Sequence, residues 1–123
     1  MTSSHWKVWL NTDAEKKARA IVKWLHERLE RDLEGVQVEP DPKTSGYAAS
    51  FRIPLLSEVW NGQVVEVIAL GQRIGRRWTL FGDVHNDLSA WSNEPGVTGV
   101  VSIEWQLFKP RAESSEDAAA NGS

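Results

Sequence analysis

The sequence has no cysteine, one methionine, one tyrosine and three phenylalanines. Without a thiol there is no disulfide staple, no thiolate nucleophile and no thiolate metal site. Long apolar runs are missing too: none approaches the roughly 18 residues of a membrane-spanning helix. The opening Met1-Thr2-Ser3-Ser4-His5 lacks the basic and apolar segments of a secretory signal. These absences point to a cytoplasmic protein with no membrane partner. No Gly-x-Ser-x-Gly nucleophile motif occurs, and no Ser, His and Asp triad can be assembled.

A strong charge is missing as well. The formal net charge is −3, and residues 111–123 carry part of it, with Glu113, Glu116 and Asp117 against Arg111. The near-neutral remainder argues against binding nucleic acid through its phosphates. That segment is small, polar and Ala/Ser-rich, which predicts a disordered tail over 111–123. The rest, residues 1–110, suits a single domain with one core. The full sequence, 41% hydrophobic and 25% charged, has the composition of an ordinary globular chain.

What the chain has in abundance is indole. Tryptophans stand at 6, 9, 24, 60, 78, 91 and 105. Tryptophan buries a large apolar area while keeping one N–H donor, so it concentrates in cores and at interface anchors. Periodicity decides which role each one has.

His5 to Asn11 alternates, with Trp6, Val8 and Leu10 on one face and Lys7, Trp9 and Asn11 on the other. This is a strand, preceded by a His5 that frays. Thr12-Asp13-Ala14-Glu15 has the form of a capping box. Ala14, Ala18, Ile21, Val22, Leu25 and Leu29 follow at helical spacing, predicting a helix over about 13–34. Glu15/Arg19 and Glu27/Arg31 support it as i,i+4 pairs, and Gly35 stops it. Val36–Glu39 and Tyr47–Pro54 read as a hairpin through Pro40-Asp41-Pro42-Lys43-Thr44-Ser45-Gly46.

Residues 55–75 admit two readings. Asn61-Gly62 suits a tight hairpin turn between β-branched residues. Trp60, Val64, Val67, Gly71 and Ile74 instead form one helical stripe, with Ser57 as N-cap. The helix, over about 57–73, completes the order strand–helix–strand–strand–helix–strand. Arg77–Asp83 reads as a strand with Trp78 and Leu80 on one face, Thr79 and Phe81 on the other. Residues 84–96 read as a polar loop. Thr98–Phe108 is a long strand with Val101, Ile103, Trp105 and Leu107 inward, ended by Pro110. The expected fold is α+β: a ferredoxin-like two-layer sandwich, an approximately five-stranded, mostly antiparallel sheet with two helices on one face.

Three clusters carry the candidate chemistry. Asp83, His85 and Asp87 alternate and offer ligands for a metal or an acid/base pair, although Asp and Asn are also the preferred turn and cap residues. Arg73, Arg76 and Arg77 lie close to Trp78, where arginine can stack bases or hold phosphate. Their simpler role is to complement a helix C-terminus. Gly71-Gln72-Arg73-Ile74-Gly75 runs from helix to strand, the reverse of a phosphate-cradling loop. No cofactor is implied.

The third cluster is aromatic. Trp6, Trp60, Trp78 and Trp105 are in phase with the core, whereas Trp9, Trp24 and Trp91 are not. A sheet with helices on one face leaves the other open, and Trp9, Thr79, Phe81, Ser102, Glu104, Gln106 and Phe108 fall on it. Either the 84–96 loop covers that face with Trp91 as its anchor, or the face is an interaction surface. The expectation is a protein-binding module acting through Trp9, Phe81, Trp91, Phe108, Glu104 and Trp24, its partner a toxin, an enzyme or a second copy in a homodimer. In size and class such a tryptophan-rich, cysteine-free domain resembles bacterial toxin-neutralising immunity proteins. A small-molecule or metal enzyme using Asp83, His85 and Asp87 is the alternative, and nucleic-acid binding the third reading.

Overall fold

The computed structural model describes residues 2–109; the tail expected over 111–123 lies outside them. The elements in order are β1 (Ser3–Leu10), α1 (Glu15–Leu29), β2 (Glu34–Pro40), β3 (Tyr47–Pro54), α2 (Trp60–Ile74), β4 (Gly75–Arg76), β5 (Thr79–Gly82), β6 (Asp87–Ser92), β7 (Glu94–Pro95) and β8 (Val100–Phe108). The main sheet has six strands rather than five, in the order β2-β3-β1-β8-β6-β5, and β4 pairs with β7 in a separate two-stranded ribbon. Every pairing is antiparallel. The chain is therefore α+β, with two helices and one large antiparallel sheet.

Alternation along β1 buries Ser4, Trp6, Val8 and Leu10, and the ladder sets these against Ile53, Phe51, Ala49 and Tyr47 of β3. On the other side Trp6 meets Trp105 and Val8 meets Ile103 of β8. The helices cover this face: Ala18, Ile21, Val22, Leu25 and Leu29 of α1, and Val64, Val67, Leu70, Gly71 and Ile74 of α2, are buried. Trp6, Trp78 and Trp105 form an aromatic cluster, each ring centroid 6.4–6.5 Å from the other two.

Helix boundaries are tighter than expected. α1 begins after Ala14, and the Thr12 hydroxyl accepts the Ala14 N–H at 3.2 Å instead of capping deeper in the turn. It ends where Glu30 adopts φ 56 and donates its N–H to His26 O. Gly35, also at positive φ, lies within β2, one residue after its start, rather than closing α1. Glu15 does pair with Arg19, but Arg31 has left the helix and pairs with Glu66 instead of Glu27. Residues 60–74 are helical, and Ser57 Oγ accepts the N–H of Val59, short of the N-cap position.

The larger corrections concern residues 77–108. Arg77 has φ 53, which breaks the alternation, so Trp78 lies outside β5 and turns back onto α2, where its Nε1 donates to Gly71 O at 3.1 Å. The polar loop expected over 84–96 contains β6, which pairs with β8 on one side and β5 on the other. In β8, Val101 points outward and is 52% exposed, while Val100 is buried. The cause is a bulge: Trp9 pairs with Ser102 but Leu10 with Val100, so Val101 is the extra residue.

Candidate functional site

Both helices pack on the face carrying Trp6, Val8 and Trp105. The outward positions of the same strands therefore form a continuous second face. Across it run Lys7, Glu104, Trp91 and Thr79 in one row of paired residues, and Arg52, His5, Gln106, Ser89 and Phe81 in the next. Trp9 pairs with Ser102 above the first row, and Phe108 with Asp87 below the second.

Four of the six expected binding residues are aromatic residues on this face. Phe81 and Trp91 stack, with centroids 6.3 Å apart and planes within 10°. Their strands are neighbours, and the contact is the diagonal one between Thr79↔Trp91 and Phe81↔Ser89. Phe108 meets His5 edge-on at 5.8 Å. Lys7 Nζ lies 5.1 Å from the Trp9 ring centroid. Phe81, Trp91 and Phe108 remain 46%, 38% and 48% exposed, so stacking on one another does not take them out of water. Glu104, the fifth residue, lies among them. The sixth, Trp24, is exposed on α1, in the helical layer on the other side of the sheet, and takes no part in this grouping.

The segment 84–96 does not fold back over the face. It extends the sheet and contributes Trp91 to the same surface. Two further members, His5 and Lys7, share the outward side of β1 with Trp9. The alternation signalled both, but His5 was expected to fray and is instead paired with Arg52 and Gln106.

Asp83, His85 and Asp87 lie in and beside the turn joining β5 to β6. Asp83 Oδ1 accepts the His85 N–H at 2.9 Å and Oδ2 accepts from the Asn86 side chain at 2.8 Å. Those two hydrogen bonds hold its carboxyl below the ordinary aspartate range. The Asp83 N–H donates to Asp87 O at 2.8 Å, closing the hairpin. Asp87 begins a strand and caps no helix. Among the described residues no three His, Asp or Glu side chains are grouped to hold a metal ion.

The arginines are dispersed. Arg73 reaches Leu29 O at 3.5 Å and Glu30 at 3.7 Å, both at the end of α1. Arg77 pairs with Glu94 at 3.5 Å, and Arg76 lies in the short β4–β7 ribbon. Arg73 and Arg77 thus each hold an ion pair with a different element.

Two clefts border Trp9. One of about 620 Å³ opens at the end of the sheet, where Trp9 and Val101 face Asn11, Asp13 and Thr44. Another, about 230 Å³, lies between Trp9 and Trp91. A third, about 480 Å³, lies away from this face, between Val22 and His26 of α1 and Leu33 and Val36 at the start of β2. Compared with protein-family models, curated proteins and solved structures, the chain matches none.

Proposed function

We propose that this protein is a binding module that docks another protein on the open face of its sheet. The observation that carries the reading is the Phe81–Trp91 stack, left half-open to water on strands that no other part of the described chain covers. Burying a large apolar side chain is worth about 1.5–3 kcal/mol, so these rings hold a reserve that a partner can use. Aromatic anchors surrounded by polar side chains are the composition of a protein-recognition surface.

The face also bears on what kind of partner it takes. His5, Lys7, Arg52, Glu104 and Gln106 interleave with the rings. Homodimer interfaces are more apolar than this, so a different protein fits better than a second copy. We favour a toxin or enzyme masked in the cytoplasm, the immunity-type role. For the fold we favour the ferredoxin-like reading, supported by the order β2-β3-β1-β8 with α1 and α2 as crossovers. The β5–β6 hairpin is then an addition that widens the docking face.

The test is retention of a partner from the source cells by tagged wild-type, Trp24→Ala, Phe81→Asp and Trp91→Ala proteins, with thermal unfolding recorded for each. The expected result is one protein held by wild type and Trp24→Ala, lost from the two face variants, with all four folded. Equal retention by all four overturns the reading, as does a monomer that retains nothing. A concentration-dependent dimer abolished by Phe81→Asp replaces the foreign partner with a second copy.

A further inference from the structure

The open face is not uniform: β8 passes between Trp9 on β1 and Trp91 on β6. Its outward residues there are Ser102, opposite Trp9, and Glu104, opposite Trp91. With strands about 4.8 Å apart and Ser102 and Glu104 about 6.8 Å apart along β8, the two indoles rise diagonally from Cα atoms roughly 12 Å apart. Both side chains line one cleft over β8, and rings about 7–8 Å apart can each touch a flat group placed between them. Ser102 keeps the floor low, and Asn93 closes one side of the slot. Phe81 stacks on Trp91 from β5, on the far side from Trp9, and leaves the slot clear.

The chemistry of this slot is specific. Two indole π-systems flank a carboxylate, and none of the ion pairs among the described residues includes Glu104. Aromatic faces beside an uncompensated carboxylate attract organic cations. The Lys7 ammonium over Trp9 already shows such a contact, at the rim and on the strand opposite Glu104. At about 230 Å³ the slot is smaller than the roughly 300–1,000 Å³ of drug-sized sites, so it takes one end group, not a whole molecule. A guanidinium suits it better than an ammonium. It is flat, more weakly hydrated, stacks on rings and binds carboxylate through two parallel hydrogen bonds.

We infer that the slot between Trp9 and Trp91 receives an arginine side chain of the docked protein, with Glu104 as its counter-ion. The inference rests on the docking face proposed above and names the chemistry that the partner must present.

The experiment uses the full chain and a small probe, so it needs no identified partner. N-acetyl-arginine methylamide is titrated into ¹⁵N-labelled protein while the seven indole N–H signals are followed. The neutral citrulline analogue is the control. Saturable, millimolar binding that shifts the Trp9 and Trp91 signals is expected, with the citrulline analogue and the Glu104→Gln variant each weaker by about tenfold. Lys7→Met removes a competing cation and tightens binding. Unmoved Trp6, Trp78 and Trp105 signals certify that each variant is folded. Equal binding of both analogues, indifference to Glu104→Gln, or no shift with the arginine analogue overturns the inference. Such a failure leaves the docking face standing, because that face is judged by partner retention in Phe81→Asp, outside the slot.

Discussion

Arg31 Nη1 lies 2.7 Å from Glu66 Oε2, tying the segment that leaves α1 to the middle of α2. The same carboxylate accepts the backbone N–H groups of Leu56, at 2.8 and 3.0 Å, and Ser57, at 3.0 Å. One side chain thus fixes the approach of two helices and the loop that enters the second.

Burial pushes the Glu66 pKa up, but the Leu56 and Ser57 N–H groups and the Arg31 guanidinium outweigh it and hold the carboxyl below its ordinary value of 4.5. A depressed carboxylate contributes stability that is complete above its unfolded pKa and is lost as pH falls through its folded pKa. Glu66→Gln is therefore expected to cost about 1–3 kcal/mol at neutral pH. It also flattens the decline in stability below about pH 4.5. Urea unfolding at several pH values measures both effects; an unchanged acid limb contradicts the assignment.

A second buried contact couples Ser4 to Trp6. Trp6 Nε1 donates to Ser4 Oγ at 2.8 Å, and that hydroxyl donates to Ile53 O at 3.0 Å. Both residues are almost fully buried. Ser4→Ala strands the indole N–H and is expected to cost about 1–3 kcal/mol. Trp6→Phe then costs less in the Ser4→Ala background than in wild type. A double-mutant cycle reads the difference, and strict additivity would show that the hydrogen bond is immaterial.

Gly99 precedes the bulge in β8 with φ +93, and a Cβ placed there would approach Ile21 Cδ1 to 2.6 Å. Torsion and contact act together, so Gly99→Ala is expected to cost roughly 1–3 kcal/mol. For a domain of this size that is a fall in Tm of about 4–8 °C per kcal/mol. Adding Ile21→Val relieves the contact but not the torsion, so thermal melts of the double variant separate the two contributions.

Asp83 organises the β5–β6 turn from a fully solvated position. Asp83→Ala is expected to accelerate amide exchange at His85 and Asn86 while leaving core amides protected. Its carboxyl is held below the ordinary value of 3.8 and stays ionised there, so the same effect is expected in wild type only on acidification through that lowered value. Unaltered exchange at His85 would show that the carboxylate is idle there.

How far the sequence reveals this arrangement depends on the strength of the local pattern. Strict alternation in β1 places Trp9 opposite Trp6, and the helical stripes of α1 and α2 identify their buried faces. β6 is hidden because Asp87-Leu88-Ser89-Ala90-Trp91-Ser92 is short and rich in small polar residues of low strand propensity. Its conformation comes from ladders on both sides, a tertiary cause. Val101 is misplaced by alternation because one inserted residue reverses the phase, and Trp78 because Arg77 turns the chain at positive φ. Four of the aromatic face residues were legible; their convergence with Glu104 around one slot depends on β6 lying beside β8.

The position of β1 between β3 and β8 also bears on the order of assembly. Trp6 waits for Trp105, which the ribosome delivers after nearly all the other described residues. Until β8 arrives, β1 has one unpaired edge and the β5–β6 hairpin has no sheet to join. Closing a loop of that length is entropically costly, and chains dominated by such distant pairings fold slowly. The outward face that carries Trp9, Phe81 and Trp91 is therefore continuous only when β8 is in place between β1 and β6.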